Sequence, residues 1–414
     1  MYEDVMEQAV EADNVSRALK AVERNRGAAG IDRMETSQLR SHLEEHWGSI
    51  RSKLLSGKYT PAPVRRAEIA KPNGKRRKLG IPTVVDRLIQ QLMLQVMGPI
   101  YEEQFSDSSY GFRPGRSAQE AVQQARQYVM EGKNWVVDLD MAEFFDRVNH
   151  DILMRKIAKT IRDKRVLRLI GKYLRAGVMQ SGVVIRMEQG TPQGGPLSPL
   201  LANIYLDTLD QELEKRGHSF VRYADDCNVY VGGAAAADYH LRKLPEWIRK
   251  HLRLEVNASK SGAGRPWERK FLGFRITKKG QIEVSPESLN RFKARVRELW
   301  RCGQSLTNHQ LRSQWQRYIR GWWNYYRLAE YRSPVWKLEG WVRRHIRKFY
   351  WLRWHDWRGR RKALRRLGVG PGQIRAGHSS KGAWRMAKHP VMQTALRNAT
   401  LRRHQFWMPS DFAT

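Results

Sequence analysis

The apolar residues of the chain follow two periods, which alternate along the first 285 residues. Helical spacing covers residues 4–55, 84–96 and 236–252, as in amphipathic helices. Between and after them lie strand-like runs bounded by Gly, Pro or polar residues: RRAEIA, RRKLGIP, WVVDLD, FLGFRI and QIEVS. From about residue 286 the spacing is helical, with loops near 303, 333, 359 and 370. The pattern predicts an α+β body followed by an all-helical region.

Four short segments carry more specific signals. The sequence PNGK between RRAEIA and RRKLGIP predicts the turn of a β-hairpin. Ser117, followed three residues later by Glu120, predicts a capped helix start. RLEVNASKS, residues 253–261, predicts a strand and then a turn. In VRYADDCNVY, two strand-like runs flank two neighbouring acids, which predicts a tight hairpin with the acidic pair at its tip.

The composition indicates a folded protein that associates with nucleic acid. The 414 residues carry a formal net charge of +35, and a chain this basic usually binds nucleic acid. A hydrophobic content of 41% and this length are sufficient for two or three packed domains. The 15 Trp argue against a short ribosomal or histone-like packing protein.

The positive charge is concentrated in the helical region. Residues 291–414 contain 29 Lys and Arg against 5 Asp and Glu, together with 11 of the 15 Trp. The first 290 residues have a net charge of only +11. This division predicts a catalytic body followed by a binding module, in which Arg contacts phosphates. The Trp either stack on bases or, for most of them, pack between small helices.

Cysteine content and hydropathy indicate the compartment. Cys227 and Cys302 are the only cysteines, which excludes a disulfide framework and a Cys-based zinc site. The N-terminus, MYEDVMEQAVEADN, is acidic and lacks the apolar core of a signal peptide. No run approaches the roughly 18 apolar residues of a membrane span. The sequence therefore predicts a protein of the cytosol.

Three carboxylates are candidates for a metal site. Asp140 ends the strand-like run WVVDLD, and Asp225 and Asp226 lie 85 residues further on at the predicted hairpin tip. Neighbouring carboxylates repel each other unless a cation lies beside them. Carboxylates from adjacent strands form an oxygen-rich site that suits Mg²⁺. The alternative for an acidic pair alone is a solvated turn.

The order of motifs along the chain resembles that of group II intron-encoded reverse transcriptases, also called maturases. The resemblance is carried by KPNGKRRKLGIPTVVDRLIQQ, SSYGFRPGRSAQEAV, VVDLDMAEFFDRVNHDIL, GTPQGGPLSPLLANIYLD, RYADD, NASKS, FLGF, YIRGWWNYYR and KGAWR. It implies a right-hand polymerase architecture, with fingers and palm built around an antiparallel sheet. Residues 1–285 would form these parts with an N-terminal extension, 286–345 a helical thumb, and 346–414 a basic DNA-binding segment. No paired Cys and His ligands of an HNH-type nuclease are present, as in the short bacterial group IIC members.

The resemblance assigns roles in chemistry to four of these residues. Asp140, Asp225 and Asp226 match the catalytic triad, which implies two Mg²⁺ ions as cofactors, with Mn²⁺ as a substitute. Phe145 matches a steric gate that favours dNTP over NTP by excluding a 2′-hydroxyl. Packing beside Phe144 is the alternative for Phe145.

The resemblance also identifies binding residues. Lys71 and Arg77 of the basic hairpin, Gln193 of TPQGG and Lys260 of NASKS match positions that contact the incoming nucleotide. Arg113 either touches the template or holds its own loop. The basic helices imply backbone-phosphate contacts by a further group of arginines: Arg320, Arg327, Arg343 and Arg344.

The loop NRGAAGID, residues 25–32, matches an N-terminal extension that covers the template, or is a plain connection. Taken together, these features predict an RNA-directed DNA polymerase that binds group II intron RNA, assists splicing and copies the intron into cDNA. Its partners would be intron RNA, a DNA primer or target, and dNTPs, with the chain acting as a monomer or dimer near the bacterial nucleoid. The alternatives are a splicing cofactor with an idle polymerase, and an intron-independent reverse transcriptase in host defence or repair.

Overall fold

A computed structural model describes residues 2–70, 76–180, 183–185, 189–190, 194–377 and 382–412. These residues form two compact units, which divide between Arg265 and Pro266. The first unit contains most of the strands, and the second is mainly helical. None of the described helices combines the length and the apolar character that a membrane span requires.

The described residues contain ten strands, most of them short. They are β1 (Val64–Ala70), β2 (Arg76–Ile81), β3 (Trp135–Asp140), β4 (Val178–Gln180), β5 (Val183–Ile185), β6 (Ser219–Tyr223), β7 (Asp226–Val231), β8 (Gly262–Gly264), β9 (Phe274–Ile276) and β10 (Ile282–Val284).

Among the described residues, ten α-helices belong to the first unit. They are α1 (Val5–Ala9), α2 (Ala12–Asn25), α3 (Leu39–Leu55), α4 (Val84–Glu102), α5 (Ala118–Met130), α6 (Phe144–Arg147), α7 (His150–Thr160), α8 (Lys164–Arg175), α9 (Ser198–Lys215) and α10 (Ala234–Leu252). The second unit adds α11 (Pro286–Cys302), α12 (Asn308–Tyr326), α13 (Ser333–Arg353), α14 (Trp357–Arg366), α15 (Pro371–Ala376), α16 (Ala383–Met386), α17 (Pro390–Ala395) and α18 (Asn398–Arg403).

The central sheet of the first unit has the strand order β6-β7-β3-β8, and all its described pairs are antiparallel. Its middle strands, β3 (WVVDLD) and β7 (DCNVYV), are mostly apolar, as expected for strands that helices cover. Val137 and Leu139 of β3 and Val229 of β7 are fully buried in a core shared with α4, α7 and α9. The carboxylates therefore lie at the end of a rigid, buried pair of strands.

A second sheet has the order β2-β1-β4-β5. Strands β1 and β2 pair in the antiparallel direction, as RRAEIA and RRKLGIP predicted. The turn predicted at PNGK lies outside the described residues. β1 also pairs with β4 in the parallel direction, beginning with Val64 opposite Val178. This pairing joins the basic hairpin to the segment that follows α8.

Other predicted elements were confirmed or corrected. Ser117 and Glu120 form a reciprocal capping box at the start of α5, as predicted. The predicted strand at RLEV is wrong, because Arg253 adopts a left-handed conformation (φ 51°) and only Val256 makes an isolated bridge, to Met141. Within this part of the chain, the strand that pairs with β3 is β8, which follows the turn. The loop expected near residue 359 lies earlier, because α14 starts at Trp357.

The second unit has its own core. Aromatic side chains of α11, α12 and α13 form much of it, including Trp300, Trp315 and Phe349, which are at most 5% exposed. The short hairpin β9–β10 belongs to this unit, and Phe274 packs on Tyr326 of α12. As predicted for most Trp of this region, the buried ones serve packing.

Candidate active site

The register of the central sheet brings two of the predicted carboxylates together. Asp140, the last residue of β3, pairs directly with Asp226, the first residue of β7. Opposed residues of antiparallel strands have Cα atoms about 4.5–5.5 Å apart. Asp225 precedes Asp226 in the turn. All three predicted acids thus lie at one end of one pair of strands.

The turn that carries Asp225 is tight. Tyr223 pairs with Asp226, so Ala224 and Asp225 alone connect β6 to β7. Ala224 has a φ of 57°, which is unusual for a residue with a Cβ atom and costs backbone energy. Contacts elsewhere must therefore hold the turn in this conformation.

Gly111 of the SSYGFRPGR motif supplies one such contact. A Cβ atom on Gly111 would lie 2.3 Å from the backbone N of Ala224, so no side chain fits there. The backbone of this loop also pairs with β6, since Tyr110 N donates to Arg222 O and Arg222 N donates to Ser108 O, both at 2.8 Å. Glycine at this position lets the loop lie directly against the acidic turn.

Arg222 supports the turn from beneath. Its side chain and that of Asp210 on α9 are 0% exposed, and the Arg222 Nη2 to Asp210 Oδ2 distance is 2.5 Å. Arg222 Nη1 donates to Ala224 O at 2.9 Å and to Asn203 Oδ1 at 3.0 Å, and Nη2 donates to Ser109 Oγ at 2.8 Å. One buried guanidinium therefore ties the acidic turn to α9 and to the loop around Ser109.

The positive charge of Arg222 and the negative charge of Asp210 compensate each other in this buried network. Burial opposes the charged form of Arg222, but the Asp210 carboxylate raises the pKa of the guanidinium, so the group stays charged. Asn203 also donates through Nδ2 to Gly111 O at 2.8 Å. A buried ion pair persists only when hydrogen bonds satisfy its remaining polar atoms, as they do here.

Lys260 contacts the first acid of the site. Its Nζ lies 2.9 Å from Oδ1 and 3.0 Å from Oδ2 of Asp140. Ser261 Oγ accepts from Asp140 N at 2.9 Å, which fixes the strand end. The Asp140 carboxylate is 34% exposed and the Lys260 side chain 56%, so the pair is open to solvent. Lys260 therefore places a positive charge at Asp140.

Among the described residues, no group of three or more His, Cys, Asp or Glu side chains has an arrangement that could hold a metal ion. The donor chemistry of the acidic end nevertheless fits a hard cation. Asp140 and Asp226 are opposed carboxylates, and oxygen is the ligand that Mg²⁺ prefers. Asp140 already accommodates one cation, the ammonium of Lys260.

Phe145 lines a cavity of about 780 Å³ in the first unit. The cavity wall also includes Arg24, Arg87 and Phe112, together with Gly194 and Gly195. The remaining residues of the wall are Ala21, Asn25, Leu79, Gln91, Leu94, Pro196, Ser198 and Pro199. Phe145 is 7% exposed and packs edge-on against Phe144, with ring centroids 5.1 Å apart. The ring thus packs beside Phe144, one of the two sequence alternatives, and also faces a cavity. Its role as a steric gate stays a prediction.

The backbone around Phe145 is fixed by Gly190. A Cβ atom on Gly190 would lie 2.9 Å from Phe145 O and 2.8 Å from Asp146 O, and its φ of 92° also favours glycine. Gly190 N donates to Val148 O at 2.8 Å. The segment that precedes TPQGG is therefore held against the Phe145 backbone.

The loop at residues 25–32 packs against α4 and β1. Arg87 Nη2 donates to Ala28 O at 2.7 Å, and Arg65 Nε donates to Ala29 O at 2.9 Å. A Cβ atom on Gly30 would lie 2.6 Å from Thr83 Cα, so this glycine permits the close approach. The loop is thereby anchored at one wall of the Phe145 cavity.

The assignment of Arg113 to nucleic-acid binding is corrected by the structure. Its side chain is 3% exposed, and the salt bridge to Glu102 is 2.8 Å long. Its Nη1 also donates to the carbonyl oxygens of Ser106 and Ser109, at 2.5 and 2.8 Å. Arg113 therefore holds its own loop, the second of the two sequence alternatives, because its donors point inward.

Three predicted nucleotide-binding groups lie outside the part of the chain that the structure describes. Lys71 and Gln193 lie outside the described residues, as does the Arg77 side chain, although the Arg77 backbone belongs to β2. Their roles stay predictions.

The predicted phosphate-binding arginines lie on two helices of the second unit. Arg320 on α12 is exposed, with its guanidinium 4.5 Å from the Trp407 ring centroid, and Arg327 caps the same helix. Arg343 on α13 is bonded to buried Glu339, with Nη1 3.4 Å from Oε2. Arg344, its neighbour, is half-buried. Their contacts with nucleic acid stay predictions.

Sequence reasoning missed the support behind the acidic turn. The polar residues Ser109, Asn203, Asp210 and Arg222 are all buried, at most 1% exposed. One signal was present: Arg222 occupies a strand flanked by apolar residues immediately before the tyrosine of YADD. A charged residue at such a position indicates a buried partner.

Family models match most of the chain. Residues 69–276 match "Reverse transcriptase (RNA-dependent DNA polymerase)" and residues 289–368 match "Group II intron, maturase-specific domain". The chain belongs to the reverse transcriptase family and carries the group II intron maturase-specific domain. The predicted family and the α+β fold with a helical C-terminal region are thus confirmed. The narrower group IIC type and the boundaries at 285 and 345 stay predictions.

Individual relatives agree with the family. Protein YkfC of Escherichia coli (strain K12) is 40% identical over 191 residues, which are 45% of this chain and 50% of that protein. Group II intron-encoded protein LtrA of Lactococcus lactis subsp. cremoris is 44% identical over 169 residues, 41% of this chain and 28% of that protein. The match thus spans half or less of the length of these relatives.

A solved structure also matches weakly. A chain of the partial Cas6-RT-Cas1–Cas2 complex has a TM-score of 0.38 and 23% identity, covering 59% of this chain and 42% of that chain. A likeness this slight supports no argument about function.

Proposed function

We propose that this chain is an RNA-directed DNA polymerase that binds group II intron RNA, assists its splicing and copies it into cDNA during retrohoming. The observation that carries the polymerase half is the register of Asp140 opposite Asp226, with Asp225 in the adjoining turn. Family membership supports the same activity, and the maturase-specific domain supports the intron RNA as partner. The bacterial cytosol and nucleoid, where intron RNA and target DNA occur together, would be the site of action.

Asp140, Asp225 and Asp226 would hold two Mg²⁺ ions, or Mn²⁺ in their place. When bound, these ions would favour deprotonation of the primer 3′-hydroxyl and neutralise charge on the dNTP phosphates. The carboxylates keep their place because the turn rests on Arg222 and Gly111.

Other residues would bind and select the nucleotide. Lys260 would contribute its positive charge beside Asp140 and toward the triphosphate, since its side chain is exposed and can reorient. Lys71, Arg77 and Gln193 would complete the nucleotide site. Phe145, which faces the cavity with its ring edge held by Phe144, would exclude a 2′-hydroxyl.

The test is primer extension on poly(rA)/oligo(dT) with dTTP and Mg²⁺. Wild type is compared with the double variant Asp225→Asn, Asp226→Asn and with Asp238→Asn, which removes an exposed carboxylate of α10 in the same unit. We expect extension by wild type and Asp238→Asn, and none by the double variant. Binding of a labelled intron RNA is measured in parallel, and the double variant should retain it.

Two outcomes contradict the proposal. Equal extension by the double variant would place the polymerase chemistry elsewhere. No extension by any variant, with tight RNA binding, would indicate a splicing cofactor with an idle polymerase. The DNA that flanks the gene tests an intron-independent host role separately. The proposal predicts that this DNA encodes a folded group II intron.

A further inference from the structure

A second cavity, of about 820 Å³, lies inside the helical unit. Its volume is in the range of small-molecule sites, roughly 300–1,000 Å³. Basic and aromatic side chains from three helices form its wall: Arg297 and Arg301 from α11, Trp341, His345 and Lys348 from α13, and Trp384 from α16. Trp384 belongs to the KGAWR segment, which none of the polymerase roles explains.

Three rings of this wall pack against one another at an angle. The His345 ring centroid lies 4.1 Å from that of Trp341 and 5.0 Å from that of Trp384. Trp384 is 37% exposed, whereas Trp side chains are on average largely buried. One side of the cavity therefore offers an open face on which a planar group can stack.

Cations border the rings. Arg297 Cζ lies 5.3 Å from the Trp341 ring centroid, and Lys348 Nζ lies 5.9 Å from that of Trp384. The acid of the wall, Glu298, is already paired with Arg295 at 2.6 Å. The wall therefore attracts an anion while it presents aromatic faces.

His345 adds a polar group without adding charge. Burial, with Lys348 and Arg297 nearby, lowers the pKa of His345 to about 4. The imidazole is therefore neutral at pH 7, and one of its nitrogens can accept a hydrogen bond.

Trp300 also lines the cavity. The residue is 5% exposed, and its indole nitrogen is buried without a hydrogen-bond partner among the described residues. Because the nitrogen itself is out of reach of solvent, Trp300 contributes apolar wall here and no donor for an occupant.

We propose that this cavity binds one unpaired nucleotide of a single-stranded nucleic acid, with the base on Trp384 and the flanking phosphates at Arg297, Arg301 and Lys348. Stacking needs a base whose face is not covered by neighbours, which a duplex does not supply. The net charge of +24 over residues 291–414 favours a nucleic acid over a peptide as occupant. The biological role of this site rests on the proposed function. Binding of a nucleotide in the cavity does not itself require polymerase activity.

The test measures fluorescence anisotropy of a fluorescein-labelled 12-nucleotide oligo(dA), oligo(rA), and the dA·dT duplex, with the full chain in EDTA and without dNTP. Trp384→Ala should weaken single-strand binding by about tenfold, since stacking contributes roughly 1–3 kcal/mol per base and 1.4 kcal/mol is tenfold. Duplex binding should change less than about twofold. The two single strands distinguish a DNA occupant from an RNA occupant.

Trp336→Ala is the matched control, because Trp336 is 36% exposed, lies in the same unit and packs beside Trp323 away from the cavity wall. It should leave single-strand binding within about twofold. Trp384→Phe should restore most of the affinity, because it keeps an aromatic face. Lys348→Gln should reduce the salt dependence of binding, whereas Trp384→Ala should not.

Two results would overturn the proposal: equal single-strand affinity of Trp384→Ala and Trp336→Ala, or an equal loss of single-strand and duplex binding in Trp384→Ala. Failure of the polymerase proposal looks different. In that case wild type does not extend a primer, yet single-strand binding still depends on Trp384. If wild type extends a primer and Trp384→Ala binds normally, the cavity proposal alone fails.

Discussion

The buried ion pair beneath the acidic turn provides a sharp test of how the site is held. Asp210→Asn keeps the shape of the side chain but leaves the charge of Arg222 unpaired in a fully buried position. Removing one partner of a buried pair costs about 3–5 kcal/mol. We therefore expect the first unit to lose about that much stability, and the acidic turn to lose its rigid support.

Glu212→Gln is the matched control on the same helix. Glu212 pairs with Arg216, but the two side chains are 23% and 44% exposed. An exposed pair of this kind contributes about 0–1 kcal/mol. The two variants thus make the same chemical change, carboxylate to amide, in a buried and an exposed ion pair.

The assay is hydrogen exchange across a urea series, read on peptides of residues 219–231 so that only the first unit is followed. With a urea slope of about 1–3 kcal/mol per M, Asp210→Asn should lower the midpoint by roughly 1–5 M, and Glu212→Gln by much less. Primer extension by the folded Asp210→Asn variant should fall at least about tenfold, equivalent to 1.4 kcal/mol. Equal midpoints for the two variants would refute the structural role of the Arg222 pair.

Phe145→Ala should reduce the preference for dTTP over the corresponding ribonucleotide by about 10- to 200-fold, equivalent to about 1–3 kcal/mol of lost steric exclusion. Unchanged single-nucleotide selectivity would place the gate elsewhere. Lys260→Met should lower the Mg²⁺ concentration for half-maximal extension by about 1.5- to 5-fold, because an exposed ion pair worth 0.2–1 kcal/mol no longer competes for Asp140; a higher requirement would contradict this. Burial first, and then the nearby Asp210 carboxylate, raises the pKa of Asp207 to about 6. The protonated side chain therefore stabilises the folded state below pH 4, and this stabilisation is lost as the pH rises through 6. Asp207→Asn should therefore have a higher melting temperature than wild type at pH 7 but not at pH 4. An equal difference in melting temperature at the two pH values would contradict this pH dependence.

The periodic parts of the fold could be predicted from sequence. The run WVVDLD forms a strand that ends at Asp140, and Ser117 caps α5, because local pattern and capping chemistry determine these features. The strand predicted at RLEV failed for a tertiary reason: β8 occupies the edge of β3, and the chain after α10 contributes only the bridge of Val256 to Met141.

The candidate site likewise has features that the local sequence determines and features that depend on tertiary packing. The acids were identified from their motifs, and their opposition across β3 and β7 follows from strand register. The partners of Arg222 and the inward direction of Arg113 could not be predicted, since both depend on which helices and loops pack against them. Trp384 was equally ambiguous, because composition alone does not separate a packed indole from an exposed one.

The most direct test of the central claim is single-turnover addition of dTTP to a primer on an RNA template, by wild type, Asp140→Asn and Asp138→Asn. Asp138 lies two residues earlier on β3, so its side chain is on the same face of the strand, but it pairs with Asn228 rather than with Asp226. We predict that Asp140→Asn abolishes the addition while Asp138→Asn retains it. Retained activity in Asp140→Asn would contradict the assignment of the opposed carboxylates as the centre of a reverse transcriptase.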